Sequence, residues 1–160
     1  MSDFAATYAL TRGRFDAALE PLTHAQLKLR TPGDTMSIGQ MAMHVAGVEF
    51  SCYHQLMVME PTPEEARIAL CATEGAVNNN PFPFTDDEIT PELVRDALDQ
   101  GRRYTEELLT ENSPEIRARQ MVSALGPVID GVGAFVRLSA HPFYHQGQIY
   151  QALQFGLLKS

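Results

Sequence analysis

Cysteine is scarce in this chain: two of its 160 residues, Cys52 and Cys71, and no Cys-x-x-Cys pair. Two thiols cannot staple a disulfide scaffold, so both are expected reduced and buried. No apolar run approaches the roughly 20 residues a membrane-spanning helix needs. The start, Met1-Ser2-Asp3-Phe4, has neither the basic residues nor the apolar stretch of a secretory signal. A soluble, cytoplasmic protein is the expectation from these absences. Basic residues are also few: 12 Lys and Arg stand against 20 Asp and Glu, for a net charge of -8. The only basic clusters, Arg102-Arg103 and Arg117/Arg119, sit among acidic residues. A phosphate backbone or an anionic membrane would meet no basic face, so neither nucleic acid nor membrane is an expected partner. Internal repeats and low-complexity tracts are lacking too.

What the chain does have is a helical rhythm. A hydrophobic fraction of 44% over this length suits one domain, spanning residues 1–160, with one core. Phe4, Tyr8, Thr11, Phe15, Ala18 and Leu22 step by three and four, which predicts a first helix with one buried stripe. Thr23 to Gln26 and Ser37 to Gln40 have the form of capping boxes, a hydroxyl followed three residues on by a glutamine. The turn cluster Thr31-Pro32-Gly33-Asp34 separates them. After Ser37, the positions Ile38, Met41, Val45, Val48, Cys52, Leu56 and Met59 predict a long second helix ended by Pro61. Thr62-Pro63-Glu64-Glu65 opens a short helix running to about Thr73. The Asn- and Pro-rich stretch from Gly75 to Asp87 reads as a loop. Thr90-Pro91 opens a third long helix, with Leu93, Ala97, Gly101, Tyr104 and Leu108 inward, and Ser113-Pro114 opens another piece. A fourth long helix is expected from about Pro127 to Phe155, with Val128, Val132, Phe135, Ser139 and Ile149 on its buried face. Four long helices without alternating strands predict an all-α, four-helix bundle with short extra helices in its connections.

Chemistry points to the histidines, of which there are five: His24, His44, His54, His141 and His145. His141 and His145 are four apart on the fourth helix, so both rings rise from one face and can reach one ion. His44 lies on the flank of the second helix's apolar stripe, where it borders the core and can point into a cleft. His54 is ten residues beyond it, about 15 Å along the same helix, and cannot share its ion. His24 and His54 therefore read as surface or structural. Other metal patterns are absent: there is no His-Glu-x-x-His, and no histidine has a glutamate three residues before it. Glu49 is turned about 140° from His44 and makes a poor carboxylate ligand. Pro142, which follows His141 inside the fourth helix, removes one backbone hydrogen bond and is expected to kink the chain or widen a turn.

Two segments resemble the DinB/YfiT-like superfamily, which includes members described as metal-dependent hydrolases. Ser37-Ile38-Gly39-Gln40-Met41-Ala42-Met43-His44-Val45-Ala46 is similar to that family's entry to its second helix. His141-Pro142-Phe143-Tyr144-His145-Gln146-Gly147-Gln148 is similar to its His-x-x-x-His-x-Gly-Gln block. The order and spacing of both fit over essentially the whole chain. The resemblance implies an up-down-down-up bundle, often homodimeric, and a three-histidine metal site at His44, His141 and His145. It implies zinc or nickel as the metal and, in the characterised transferases and a related isomerase, a low-molecular-weight thiol as cosubstrate. Tyr144 and Gln146 stand where the family often has His and Arg, and Pro142 is another departure.

Three neutral imidazoles leave a metal position open, as catalytic sites do, whereas closed structural sites take four protein ligands. The expected function is a metal-dependent enzyme that activates a thiol or a water toward a small electrophilic substrate. The alternative is a non-catalytic, metal-binding stress-response protein. Candidates for catalytic roles are Gln148, which either bonds a ligand histidine or substrate or simply packs, and Tyr144, which either offers a phenolic donor or fills the core. No carboxylate falls on the ligand faces, so the sequence names no general base.

Overall fold

The computed structural model describes residues 3–31, 33 and 36–157. Pro32 and Asp34 of the expected turn cluster, like Met1 and Ser2, lie outside the described residues. The elements run α1 (Asp3–Leu19), α2 (His24–Leu27), α3 (Ile38–Met57), α4 (Pro63–Leu70), α5 (Pro91–Glu111), α6 (Pro114–Ala118), β1 (Gln120–Val122), β2 (Val128–Asp130) and α7 (Gly131–Leu157). No helix among the described residues is long and apolar enough to cross a membrane.

The start signals act as local chemistry requires. Thr23, Ser37 and Thr62 each close a full capping box, the side chain accepting from the third residue's N–H while that residue's side chain accepts from the cap's own N–H. Thr90 and Ser113 cap α5 and α6, each with proline at the first helical position.

The expected ends hold less well. α3 stops at Met57, four residues short of Pro61, because Val58 takes a left-handed conformation (φ 56°). Met59, expected on the buried stripe, is therefore outside the helix and 50% exposed. α4 ends at Leu70 rather than Thr73, and the chain continues through turns. The fourth long helix begins at Gly131, not Pro127. The residues before it pair instead as an antiparallel hairpin, Gln120 opposite Asp130 and Val122 opposite Val128. Gly126, with φ 97°, supplies the reversal that other residues resist. Val128, expected on a buried helical face, is consequently 59% exposed. The hairpin also corrects the expectation of a bundle without strands. Its three-residue strands are too short to show alternation in the sequence.

Contacts between the long helices fix their directions. On α3 and α5, Glu49 meets Gly101 while Tyr53 stacks on Tyr104 with ring centroids 4.0 Å apart, so the two run parallel. On α3 and α7, Cys52 lies near Arg137 and His44 near His145, so these two run antiparallel. Phe4 packs on Phe135, while Arg14 and Ala17 line one groove with Phe143 and Tyr150, which makes α1 and α7 parallel. This is an up-down-down-up bundle.

The apolar interior forms two clusters. One gathers Phe15, Met41, Val45, Phe50 and Ile149; the other gathers Tyr8, Cys52, Leu56, Leu108 and Phe135. Where they adjoin lies a buried polar group. Glu49 Oε1 accepts from Arg12 Nε at 2.9 Å and from Tyr8 Oη at 2.8 Å. Both cysteines are buried and free, and burial pushes each thiol up to about 12. Neither is a thiolate at neutral pH.

Candidate metal centre

His44 sits nearly two turns inside α3, whose start Ser37 sets, and His141 and His145 sit one turn apart near the middle of α7. The antiparallel packing of α3 on α7 brings their rings together. His141 Nε2 lies 3.2 Å from His44 Nε2 and 3.0 Å from His145 Nε2. One ligand nitrogen from each ring falls within 4.8 Å of the others, a group that could hold a metal ion. His44 and His145 are buried, at 4% and 3% exposure, and His141 is half-buried.

The rings are oriented from behind. His44 Nδ1 lies 2.8 Å from the carbonyl of Cys71. A carbonyl only accepts, so Nδ1 carries the proton and Nε2 presents its lone pair to the cluster. Gly47 makes this contact possible. A Cβ there would sit 2.7 Å from Ala72 N and from Ile68 O, so only glycine lets the end of α4 and the turn after it approach α3 so closely. We expect Gly47→Ala to cost about 1–3 kcal/mol of stability. It should also weaken metal binding by displacing the Cys71 carbonyl. Thermal melts and metal-competition titrations check both effects, and wild-type values in both would refute this role of the glycine.

Burial dominates the electrostatics. It lowers the pKa of His44, although the Cys71 carbonyl pulls the other way. Burial, and then His145 and His44, hold His141 well below its usual range. Burial and His44 bring His145 down to about 3, with Gln148 partly opposing them. Three neutral rings with Nε2 atoms facing inward present lone pairs that a shared cation would satisfy. A single proton on His141 Nε2 can be given to one neighbour only, which leaves other lone pairs facing each other. The donor set, three imidazole nitrogens, suits a borderline divalent ion of the zinc or nickel kind.

The same shifts predict acid sensitivity in the metal-free protein. Histidines in the unfolded chain titrate near 6.5, while these stay neutral in the fold until far lower pH. The unfolded chain therefore binds more protons below about 6.5, and stability is lost as pH falls from there toward the value of about 3 at His145. Melts of chelator-treated protein should show a lower midpoint at pH 5 than at pH 7.5. An unchanged midpoint would contradict the neutral cluster.

Other sequence candidates are placed as follows. Gln148 is half-buried one turn beyond His145, close enough to favour that ring's charged form. Gln148 Oε1 and His145 Nδ1 are nonetheless both buried without a hydrogen-bond partner. Tyr144 is 65% exposed, its ring edge-on to His145 with centroids 5.0 Å apart. α7 runs without interruption through Pro142. His24 is half-buried with Nε2 3.1 Å from the Asp86 carbonyl, and His54 is buried among Phe50, Tyr53 and Tyr104. Glu49 is turned away from the cluster into its Arg12 and Tyr8 bonds.

Sequence reasoning passed over Arg137. It sits one turn before His141 on the same face of α7, and its charge acts on all three ligand rings. The four-residue spacing back from His141 was the available signal.

Comparison with known proteins bears on the fold and the family. The chain aligns in three dimensions with a crystal structure described as the conserved protein of locus from Enterococcus faecalis. The TM-score is 0.68 at 16% identity, covering 95% of each chain. At that identity the likeness speaks for the fold alone. No curated protein matches the sequence. The family model for the DinB superfamily matches residues 7–149, a span that includes α3, α7 and all three clustered histidines. With most of its length inside that match, the chain belongs to the DinB superfamily.

Proposed function

We propose that this protein is a metal-dependent enzyme that attacks a small electrophile with a low-molecular-weight thiol or with water. His44, His141 and His145 would hold the ion, zinc or nickel. The observation that carries this reading is the mutual approach of three neutral imidazole Nε2 atoms from two helices. An open divalent ion acidifies a bound thiol or water and polarises an electrophile. The chain's own contribution is to orient and to desolvate. Cys71 O fixes the tautomer of His44, and the packing of α3 on α7 keeps the rings neutral and converging. Gln148 supports the reading as the side chain beside His145 whose carbonyl oxygen has no other partner. As a positioning residue it would accept from Nδ1–H and keep Nε2 free for the ion.

The test uses protein purified without a histidine tag. Metal analysis should return close to one equivalent of zinc or nickel per chain. Conjugation of a thiol to a generic electrophile such as 1-chloro-2,4-dinitrobenzene, and hydrolysis of a generic ester, should then be measured with and without chelator. Metal-dependent turnover in either assay supports the enzyme. Bound metal with no turnover in either favours the non-catalytic metal-binding alternative. Absence of bound metal, with no uptake on addition, defeats both.

Homodimerisation is part of this proposal. Val136, Phe143 and Tyr150 recur every seven residues on α7 and are 53%, 54% and 51% exposed. Such a stripe is a surface a second copy would cover. Light scattering coupled to gel filtration should give twice the chain mass, and Phe143→Glu should halve it. A monomeric wild type would remove this part of the proposal.

A further inference from the structure

Arg137 is a half-buried guanidinium without a counter-ion. Among the described residues no carboxylate lies within ion-pair distance of it. Its one hydrogen bond runs from Nη1 to Ser123 Oγ at 2.8 Å, and its Nε is buried with no partner. Arg117 and Arg119 are also half-buried without an ion pair, but they bond Asn112 Oδ1 and the Leu56 carbonyl; among the described arginines only Arg137 has a buried nitrogen without a partner. The most deeply buried guanidinium, Arg12, has Glu49 and Asp16 beside it. An arginine taken out of water without an anion costs stability, and its buried N–H is a donor left unused.

Its position gives the unused donor a direction. Arg137, His141 and His145 form one stripe along α7, each a turn from the next, about 6 Å along the axis. Ser123, the buried residue at the end of β1, holds the arginine's far side. Toward α3 its charge reaches Cys52, whose thiol burial keeps protonated, and His44. A positive charge beside three neutral, metal-ligating rings does nothing for cation binding; it weakens it. An anion that bridges toward the same ion would use both charges.

We propose that Arg137 receives the carboxylate of a small substrate or cosubstrate whose other end reaches the three-histidine site. The inference rests on the metal-dependent reading above and narrows its substrates to anionic molecules carrying the carboxylate a few carbon atoms from the metal-binding atom. Guanidinium and carboxylate match as a two-pronged, charge-assisted pair, which lysine reproduces only as a point charge.

The experiment uses full-length protein loaded with cobalt(II), whose absorption reports directly on its ligands. Two thiols serve as probes: 3-mercaptopropionate, which has the carboxylate, and 2-mercaptoethanol, which lacks it. Each is titrated to saturation of the sulfur-to-cobalt band. Wild type should bind 3-mercaptopropionate about 10-fold to 100-fold more tightly, the worth of a hydrogen-bonded charge. Arg137→Gln should erase that preference, bringing the affinities of the two thiols within about two-fold of each other in the same variant. Arg137→Lys should keep part of it, and it retains a cation in case the glutamine variant unfolds. Equal affinities in wild type, or a preference that survives in Arg137→Gln, would overturn the assignment with the metal reading intact. Failure of cobalt to bind, or of either thiol to reach it, would instead remove the reading beneath it and this inference together.

Discussion

His141→Ala is expected to weaken zinc or nickel binding by about 100-fold to 1000-fold while leaving the fold in place. His141 Nε2 is the central member of the cluster, within 3.2 Å of His44 Nε2 and 3.0 Å of His145 Nε2. A structural zinc site of four ligands binds with roughly 10–16 kcal/mol, about 2.5–4 per ligand, and each 1.4 is a factor of ten. The metal-free fold should tolerate the change because the lost ring is half-buried and neutral, and its Nε2 contacts are crowded lone pairs rather than a satisfied network. Competition against a chromophoric chelator measures the affinity, and circular dichroism the fold. His54→Ala is the control: that ring lies some 15 Å along α3 from His44 and should leave affinity unchanged. If His141→Ala retained wild-type affinity, the three rings would not share an ion.

Glu49→Ala is expected to be the most destabilising single change in the interior, by about 3–5 kcal/mol. Glu49 and Arg12 are 2% and 1% exposed. Burial pushes the Glu49 carboxyl up and Arg12 only partly draws it back. Removing the carboxylate leaves Arg12 Nε unpaired in the core, with only the half-buried Asp16 and the Leu98 carbonyl to hold the guanidinium, and leaves Tyr8 Oη without its acceptor. For a chain of this size the loss corresponds to a fall of roughly 10–15 °C in melting temperature. The pair should be strongly non-additive: Arg12→Met with Glu49→Met removes both charges and should cost much less than Glu49→Ala alone. Thermal and denaturant unfolding of the three variants decide it. A loss below about 1 kcal/mol for Glu49→Ala would mean that water or Asp16 already satisfies Arg12. Metal affinity of the folded variant should not change, since Glu49 faces away from His44.

Much of the bundle was legible because helix starts are written locally. Ser37 with Gln40, and Thr62 with Glu65, satisfy their own orphan N–H groups within four residues, so a short window contains the whole cause. Helix ends were less legible. The stop at Val58 needs a left-handed valine, which no local preference favours and which the surrounding chain must impose. The hairpin at 120–130 was hidden for a related reason. Strands of three residues carry almost no periodic signal, and their stability comes from each other and from α7. In the candidate site, the three histidines were visible as spacing and resemblance. Arg137 was not, because what marks it is the lack of a nearby carboxylate, and sequence separation says nothing about that.

The sequence by itself determined the helical class, the positions of five helix starts, and that the His141 and His145 rings leave one face of one helix. Each follows from bonds and steric preferences among residues a turn or less apart. Only the tertiary structure decided that His44, 97 residues from His141, meets that pair. It also decided that the Cys71 carbonyl sets its tautomer and that Gly47 leaves room for the contact. Such approaches depend on how whole helices pack, a balance of burial over many side chains that no short stretch of sequence contains.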